Sequence, residues 1–228
     1  MREQPNVFVM DYDLTIADEG QNYRIRKSVK DKLKNLKSCK LILATGRKFE
    51  DIPDKDVLDI FDAIVSENGT ILAMDKGKTK KILIGSKWLE TKEKLIKIIE
   101  EKGIEFFKGE AILAILKKDE GLVRKSVSEA NLSDEVVFEP NKIGVLVLPA
   151  GCNKGTGTKA AIEMLGGGQL IAFGDDLNDL TLFDVADVKV AVKNAVPELK
   201  ARADIVCNKD DGDGVIEVME RICARVMR

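Results

Sequence analysis

The sequence predicts an α/β protein: a doubly wound parallel sheet interrupted by a smaller α+β unit. Three observations carry this. Short apolar runs alternate with amphipathic helical stretches at both ends of the chain, the pattern of parallel strands joined by crossover helices. The middle changes to helix, strand, strand, helix, strand, strand. That two-fold order builds a small open-faced sheet with helices on one side. Finally, three apolar runs end in polar loops, two of them bearing aspartates, where an open parallel sheet binds its ligands. The reading is a Rossmann-like core over 1–82 and 150–228, with a cap inserted over 83–149.

The elements follow in order. Val7–Met10 is an apolar strand that runs straight into Asp11. Over 26–37, Ile25, Val29, Leu33 and Leu36 recur at helical spacing between lysines and aspartates. Leu41–Ala44 is the second strand and ends at Thr45-Gly46-Arg47. A helical stretch follows over 48–60, with Pro53 disturbing its boundaries. Ala63–Val65 ends at Glu67-Asn68-Gly69, and Thr70–Met74 with Lys81–Ile84 forms a hairpin around Asp75–Lys78.

In the insert, 86–102 is a Lys/Glu-rich amphipathic helix. Ile104–Phe107 and Ala111–Leu116 pair around a turn at Lys108–Glu110. A helix near 120–130 leads to Val136–Glu139 and Lys142–Leu148, joined at Pro140–Asn141. Alternation then resumes with helix 154–165, stopped by Gly166–Gly168. Strand Leu170–Phe173, helix 177–185, strand Lys189–Val192, helix 197–202, strand Ile205–Cys207 and helix 214–226 complete the chain.

Composition excludes several chemistries. Histidine is absent from the 228 residues, which rules out a His-based triad, a His-ligated zinc and His acid–base catalysis. The four cysteines are scattered without CxxC spacing, so free thiols are expected. Lys and Arg (37) nearly balance Asp and Glu (39), and no basic block stands out. Neither nucleic acid nor an anionic membrane is therefore an expected partner. No apolar run is long enough to cross a bilayer, and the first residues lack a signal peptide's apolar stretch. The expectation is a cytoplasmic protein.

What remains is carboxylates, lysine, hydroxyls and a hard cation bound by oxygen. Asp11-Tyr-Asp13-Leu-Thr15, Thr45-Gly46-Arg47 and Gly174-Asp-Asp-Leu-Asn-Asp179 each follow a strand, and Lys154 opens a helix. That set suits phosphoryl transfer. Magnesium takes carboxylates together with substrate phosphate oxygens, aspartate serves as a phosphoryl nucleophile, and lysine with helix-terminal amides offsets the transferring charge.

In order and spacing these segments resemble the four motifs of the haloacid dehalogenase superfamily. Ser66-Glu67-Asn68-Gly69 and Val190–Val196 are similar to its branch with a large cap between the second and third motifs. Length and layout resemble the archaeal-type phosphoglycolate phosphatases and related sugar-phosphate phosphatases. The resemblance implies Asp11 as nucleophile and metal ligand. Asp13 would be the general acid/base, its backbone carbonyl on the metal. It implies Asp175 on Mg2+, with Asp179 supporting the metal or holding Lys154. Thr45, Gly46, Lys154 and Asn178 would hold phosphate. Leu14 departs from the glycine common there, and Asp176 from a small residue.

Each motif alone has a plainer reading as a helix cap or turn; the joint order and spacing carry the inference. Gly151–Lys159 is not a Walker loop, and Asp210–Gly214 lacks the ligand spacing of an EF-hand. Trp88 and its apolar neighbours read as packing. The expected function is a Mg2+-dependent phosphatase acting on a small phosphorylated metabolite, with 2-phosphoglycolate first. Arg47, Lys117 and Lys142 are the candidates to meet a substrate carboxylate. The alternatives are a sugar-phosphate phosphatase or phosphomutase and, from another class, a signalling receiver. Lys154 is expected to serve catalysis more than folding.

Overall fold

The computed structural model describes residues 5–36, 39–140 and 144–226. Its large sheet has eight strands. β1 (Asn6–Asp11) lies inside, paired in parallel with β2 (Cys39–Ala44) on one side and β10 (Gln169–Gly174) on the other. β3 (Ala63–Ser66) extends the parallel set beyond β2. β4 (Ile71–Met74) and β5 (Thr79–Ile82) add antiparallel strands at that edge. On the other side β11 (Val188–Ala191) and β12 (Ile205–Val206) continue in parallel.

The chain thus steps outward from β1 in both directions, with α1 (Lys27–Lys34) joining β1 to β2. Right-handed crossovers in opposite directions put helices on opposite faces, so the sheet is doubly wound. This explains why Val7–Met10 reads as an unbroken apolar run: all four are fully buried, as a strand covered on both faces must be. The order reverses between β1 and β10, and a crevice opens there at the strands' carboxyl ends.

Between β5 and β10 the chain builds the cap. Its sheet runs β6-β7-β9-β8, all antiparallel: β6 is Phe106–Lys108, β7 Leu113–Leu116, β8 Val136–Pro140 and β9 Gly144–Pro149. Residue alternation assigns the faces. Val145 and Val147 of β9 pack with Trp88, Leu95 and Ile99 of α2 (Ser86–Glu101) and with Val123 and Val127 of α3 (Glu120–Glu129). Leu146 and Leu148 point the other way, into a seam with Ile71, Ala111 and Ile112. Every residue of β9 is therefore buried, because helices cover one face and the large domain lies against the other.

The structure differs locally from the sequence reading. No continuous helix spans 48–60: Phe49–Asp51 and Lys55–Asp59 are separate 3-10 turns. Pro53 lies in the break, and Asp54 turns into the core. There it accepts from Tyr12 Oη (2.7 Å), Ile25 N (2.7 Å) and Lys30 Nζ (2.6 Å). The stretch 177–185 is a 3-10 turn followed by the short α5 (Leu180–Phe183). Strand β7 begins at Leu113 rather than Ala111, because the amides of residues 110–112 are bonded elsewhere. Lys142 and Ile143, expected in β9, lie outside the described residues. No described helix is long and apolar enough to cross a membrane.

One contact seats the helix that carries Lys154. In α4 (Lys154–Leu165), a Cβ on Gly157 would come within 2.6 Å of both Gly69 Cα and Val65 Cγ1. The helix therefore lies backbone to backbone on the turn after β3. We expect Gly157→Ala to destabilise the fold by about 1–3 kcal/mol through overpacking, read as a lowered urea midpoint. An unchanged midpoint would show that α4 is free to shift.

Candidate active site

The site gathers at the carboxyl ends of β1, β2 and β10. Asp11 is the last residue of β1, and its Oδ1 receives Lys154 Nζ at 2.6 Å. The same ammonium donates to Asp179 Oδ1 at 2.7 Å. Lys154 stands at the first turn of α4, fixed by a capping box in which Asn153 and Thr156 exchange side-chain and backbone bonds. Asp179 Oδ2 accepts the amides of Asp175 (2.9 Å) and Asp176 (3.2 Å), which folds the loop after β10 back on itself. Gly174 permits this, since a Cβ there would meet Asp179 Cβ at 2.5 Å. Asp175 Oδ1 accepts from Thr15 Oγ1 at 3.0 Å.

Asp11, Asp175 and Asp179 are all buried, and each offers an oxygen within 4.8 Å of the others'. Burial drives the Asp11 carboxyl pKa up. Lys154 opposes this, but Asp179, Asp175 and Asp13 add to the rise, and the net shift is upward. Burial alone lowers the Lys154 pKa; Asp11 and Asp179 outweigh it and hold the ammonium above an ordinary lysine. Three buried carboxylates against one ammonium leave negative charge that a cation would offset. The donors are all oxygen, which fits a hard divalent cation rather than zinc. Asn178 adds a buried Oδ1 without a hydrogen-bond partner at the edge of the cavity.

Asp13 lies apart from this cluster. Arg47 grips its carboxylate in a forked contact, Nε to Oδ2 at 2.8 Å and Nη2 to Oδ1 at 2.7 Å. The guanidinium also stands near the rings of Tyr12 and Tyr23, at 5.7 and 5.8 Å. Immediately after Asp13, Leu14 holds φ 58°, the left-handed conformation that glycine takes without strain. Its backbone is tied down on both sides, the amide to Ala17 O and the carbonyl to Asn194 Nδ2.

Above these loops is a cavity of about 600 Å³ that reaches up to the cap. Asp11, Asp13, Gly46, Arg47, Lys154, Asp175 and Asn178 line its floor; Ile112, Leu116 and Leu146 form its roof. Leu146 comes down to Gly46, where an added Cβ would sit 3.6 Å from Leu146 Cδ1. The structure therefore brings most of the sequence-derived candidates to one cavity. Thr45 sits fully buried behind it, its hydroxyl accepting from the Arg47 amide. Lys117 is not among the lining residues, and Lys142 lies outside the described residues. Sequence reasoning missed Lys108, Tyr23 and Glu67 as cavity residues. Only the position of Lys108 in the cap's first hairpin turn hinted at it.

The chain is similar to known proteins over most of its length. Residues 8–136 and 110–219 match the haloacid dehalogenase-like hydrolases. The chain is 35% identical over 221 residues to a phosphoglycolate phosphatase of Sulfurisphaera tokodaii, covering 93% of this chain and 92% of that one. It is 33% identical over 215 residues to phosphoglycolate phosphatase 2 of Saccharolobus solfataricus, covering 93% and 90%. Among solved structures, Thermoplasma acidophilum 0175 superposes with a TM-score of 0.78 at 16% identity, over 96% of this chain and 98% of that one. The sugar phosphatase BT4131 gives 0.77 at 20% identity, over 95% and 98%. At those identities the solved structures speak to the fold alone.

Lys154 is 1% exposed and touches two buried carboxylates, so it bears on folding, where the sequence reading expected mainly a part in the chemistry. Lys154→Met keeps the stem and removes the charge, leaving both carboxylates unpaired. We expect a stability loss of about 3–5 kcal/mol, seen as a lowered melting temperature. In the fraction that folds, kcat should fall by about 100-fold or more. Near-normal kcat would reduce the lysine to a structural part.

Proposed function

We propose that this chain, which belongs to the haloacid dehalogenase-like hydrolases, is a Mg2+-dependent phosphatase of small phosphomonoesters working through an aspartyl-phosphate. The observation that carries the reading is the convergence of Asp11, Lys154, Asp175 and Asp179 beneath a capped cavity. Membership of this family also sets aside the receiver-like alternative.

In this reading an Asp11 oxygen attacks phosphorus in line while the ester oxygen leaves. Asp13 gives that oxygen its proton, so the alcohol departs and the phosphoryl group stays on Asp11. A water then attacks the phosphorus, Asp13 takes its proton, and inorganic phosphate is released with the Asp11 carboxylate restored. Lys154 stays charged throughout and holds Asp11 in place. Asp11, Asp175 and the backbone carbonyl of Asp13 would hold Mg2+, whose part is to offset charge on the phosphate and carboxylates. Both Asp179 oxygens are already bonded, to Lys154 and to backbone amides. We therefore assign Asp179 the support of that site. Gly46 and Asn178 line the cavity where the phosphate would sit, and Thr45 stiffens the loop from behind.

The Arg47 fork joins substrate binding to the acid/base. Arg47, Lys48 and Lys108 line the cavity besides Lys154; Lys108 Nζ is paired with Glu93 at 3.2 Å, so we assign Arg47 the substrate carboxylate. An Arg47 drawn toward that carboxylate would loosen its hold on Asp13. The phosphoglycolate phosphatases among the relatives make 2-phosphoglycolate the first candidate. A second reading, a sugar phosphate, is favoured by size. A cavity near 600 Å³ is within the range of roughly 300–1,000 Å³ that takes drug-sized ligands. The small cap sheet disfavours macromolecular substrates, since a lid works by enclosing its ligand.

Two measurements test this. Phosphate release over a panel of small phosphorylated metabolites should give 2-phosphoglycolate the highest kcat/KM, and Asp11→Asn should abolish turnover and the acid-stable phosphoenzyme trapped on quenching. A preference for a hexose phosphate would leave the chemistry standing and change the substrate, whereas turnover by Asp11→Asn would overturn the mechanism. Separately, chelation should remove activity and Mg2+ should restore it better than Zn2+. Activity that persists after exhaustive chelation would contradict the assignment of Asp11 and Asp175 to a cation.

A further inference from the structure

The turn after β3 grips the cap. Glu67 is 1% exposed, and its carboxylate accepts three consecutive amides of the β6–β7 loop. Oε1 takes Glu110 N at 2.7 Å, and Oε2 takes Ala111 N at 2.8 Å and Ile112 N at 3.0 Å. The carbonyls of the same loop face α2. Lys92, 3% exposed, donates Nζ to Gly109 O and Glu110 O at 2.7 Å each. Trp88 Nε1 donates to Ala111 O at 2.6 Å, so this residue is more than packing. Gly109 N closes the loop on Ile112 O at 2.9 Å.

A four-residue loop is thus held between a buried carboxylate of the large domain and a buried ammonium of the cap. Such charges are costly to bury unless hydrogen bonds satisfy them; here they are satisfied by backbone groups that would otherwise be orphaned. The approach is close, since a Cβ on Gly109 would lie 2.5 Å from Glu67 Oε2. The same turn has a second grip and a second face. Asn68 Nδ2 donates to Glu139 Oε2 of β8 at 2.7 Å, while Gly69 lies against Asn153, where a Cβ would meet Asn153 O at 1.9 Å. One turn therefore touches the cap loop on one side and the start of the Lys154 helix on the other.

We propose that Glu67 is a specificity-determining positioning residue. Acting through the clamp it makes with Lys92 and Trp88, it sets the height of the Gly109–Ile112 loop over Asp11 and so the size of ester the cavity accepts. Lys108, Gly109 and Ile112 all line that cavity. Apolar contact in the seam is non-directional, whereas three charge-assisted bonds fix where the loop stops. The inference rests on the phosphatase reading for its kinetic arm but not for its structural one.

The test is Glu67→Gln in the full chain, which keeps the shape but sets an amide donor against backbone donors. Hydrogen exchange at the amides of 110–112 should speed up by about tenfold or more while the large sheet is unchanged. KM for the best small phosphomonoester should rise about tenfold with kcat within about threefold, because the loop positions ligand and does no chemistry. KM for the bulkier p-nitrophenyl phosphate should change less. Lys92→Met and Trp88→Phe, which strike the clamp from the cap side, should give the same split, and they decide the matter if Glu67→Gln does not fold. Unchanged exchange, or faster exchange with no change in KM, would overturn the proposal. So would kcat and KM changing alike for both esters, which a merely structural role produces. A wild-type protein that released no phosphate from any ester would refute the phosphatase reading, while the exchange pattern would still judge the clamp.

Discussion

The rest of the molecule is arranged around one buried ammonium. Lys154 binds Asp11 at the end of β1 and Asp179 in the loop after β10, two elements that flank the sheet's reversal point. A buried ammonium needs partners that offset its lost hydration, and for Lys154 these are two carboxylates. Satisfying that demand fixes the start of α4, the end of β1 and the fold of the Asp175–Asp179 loop relative to one another. The glycines follow from the same constraint. Gly174 makes room for Asp179, and Gly157 with Gly69 lets the lysine's helix sink onto the turn after β3.

The carboxylates divide the labour by environment. Asp11, Asp175 and Asp179 sit in the dry floor of the site, where their mutual repulsion favours a cation. Asp13, two residues beyond Asp11, also lines the cavity but stands outside this cluster and is partnered by Arg47 instead. Two aspartates of one motif therefore have different surroundings, which is what separate nucleophile and acid/base roles require.

The cap is joined to this floor through polar contacts set in an apolar seam. Leu146, Leu148, Ile112 and Ile71 bring the surfaces together, and burial of such surface supplies attraction without direction. Direction comes from Glu67 and Asn68, adjacent residues that reach two different cap elements. Because both lie on the turn that supports α4, the roof of the cavity and its buried lysine share one foundation.

The sequence by itself determined the parallel sheet, the cap's repeated order and the convergence of aspartate loops, because these are written in local periodicity and in residue type. The lack of histidine, with four cysteines scattered along the chain, pointed any metal to oxygen ligands. Partners were another matter. Lys154 meets Asp11 across 143 residues and Glu67 meets Ala111 across 44, and no spacing rule links them. Periodicity marked Trp88 as core but was silent on its indole N–H. Thr45 and Arg47 read alike as ligands of substrate, yet packing placed the hydroxyl behind the cavity and gave the guanidinium to Asp13. A helix expected over 48–60 gave way because Asp54 found three donors in the core. Alternation in sequence encodes which face is buried; which polar group meets which is decided only when distant segments pack and each buried charge must find its own partner.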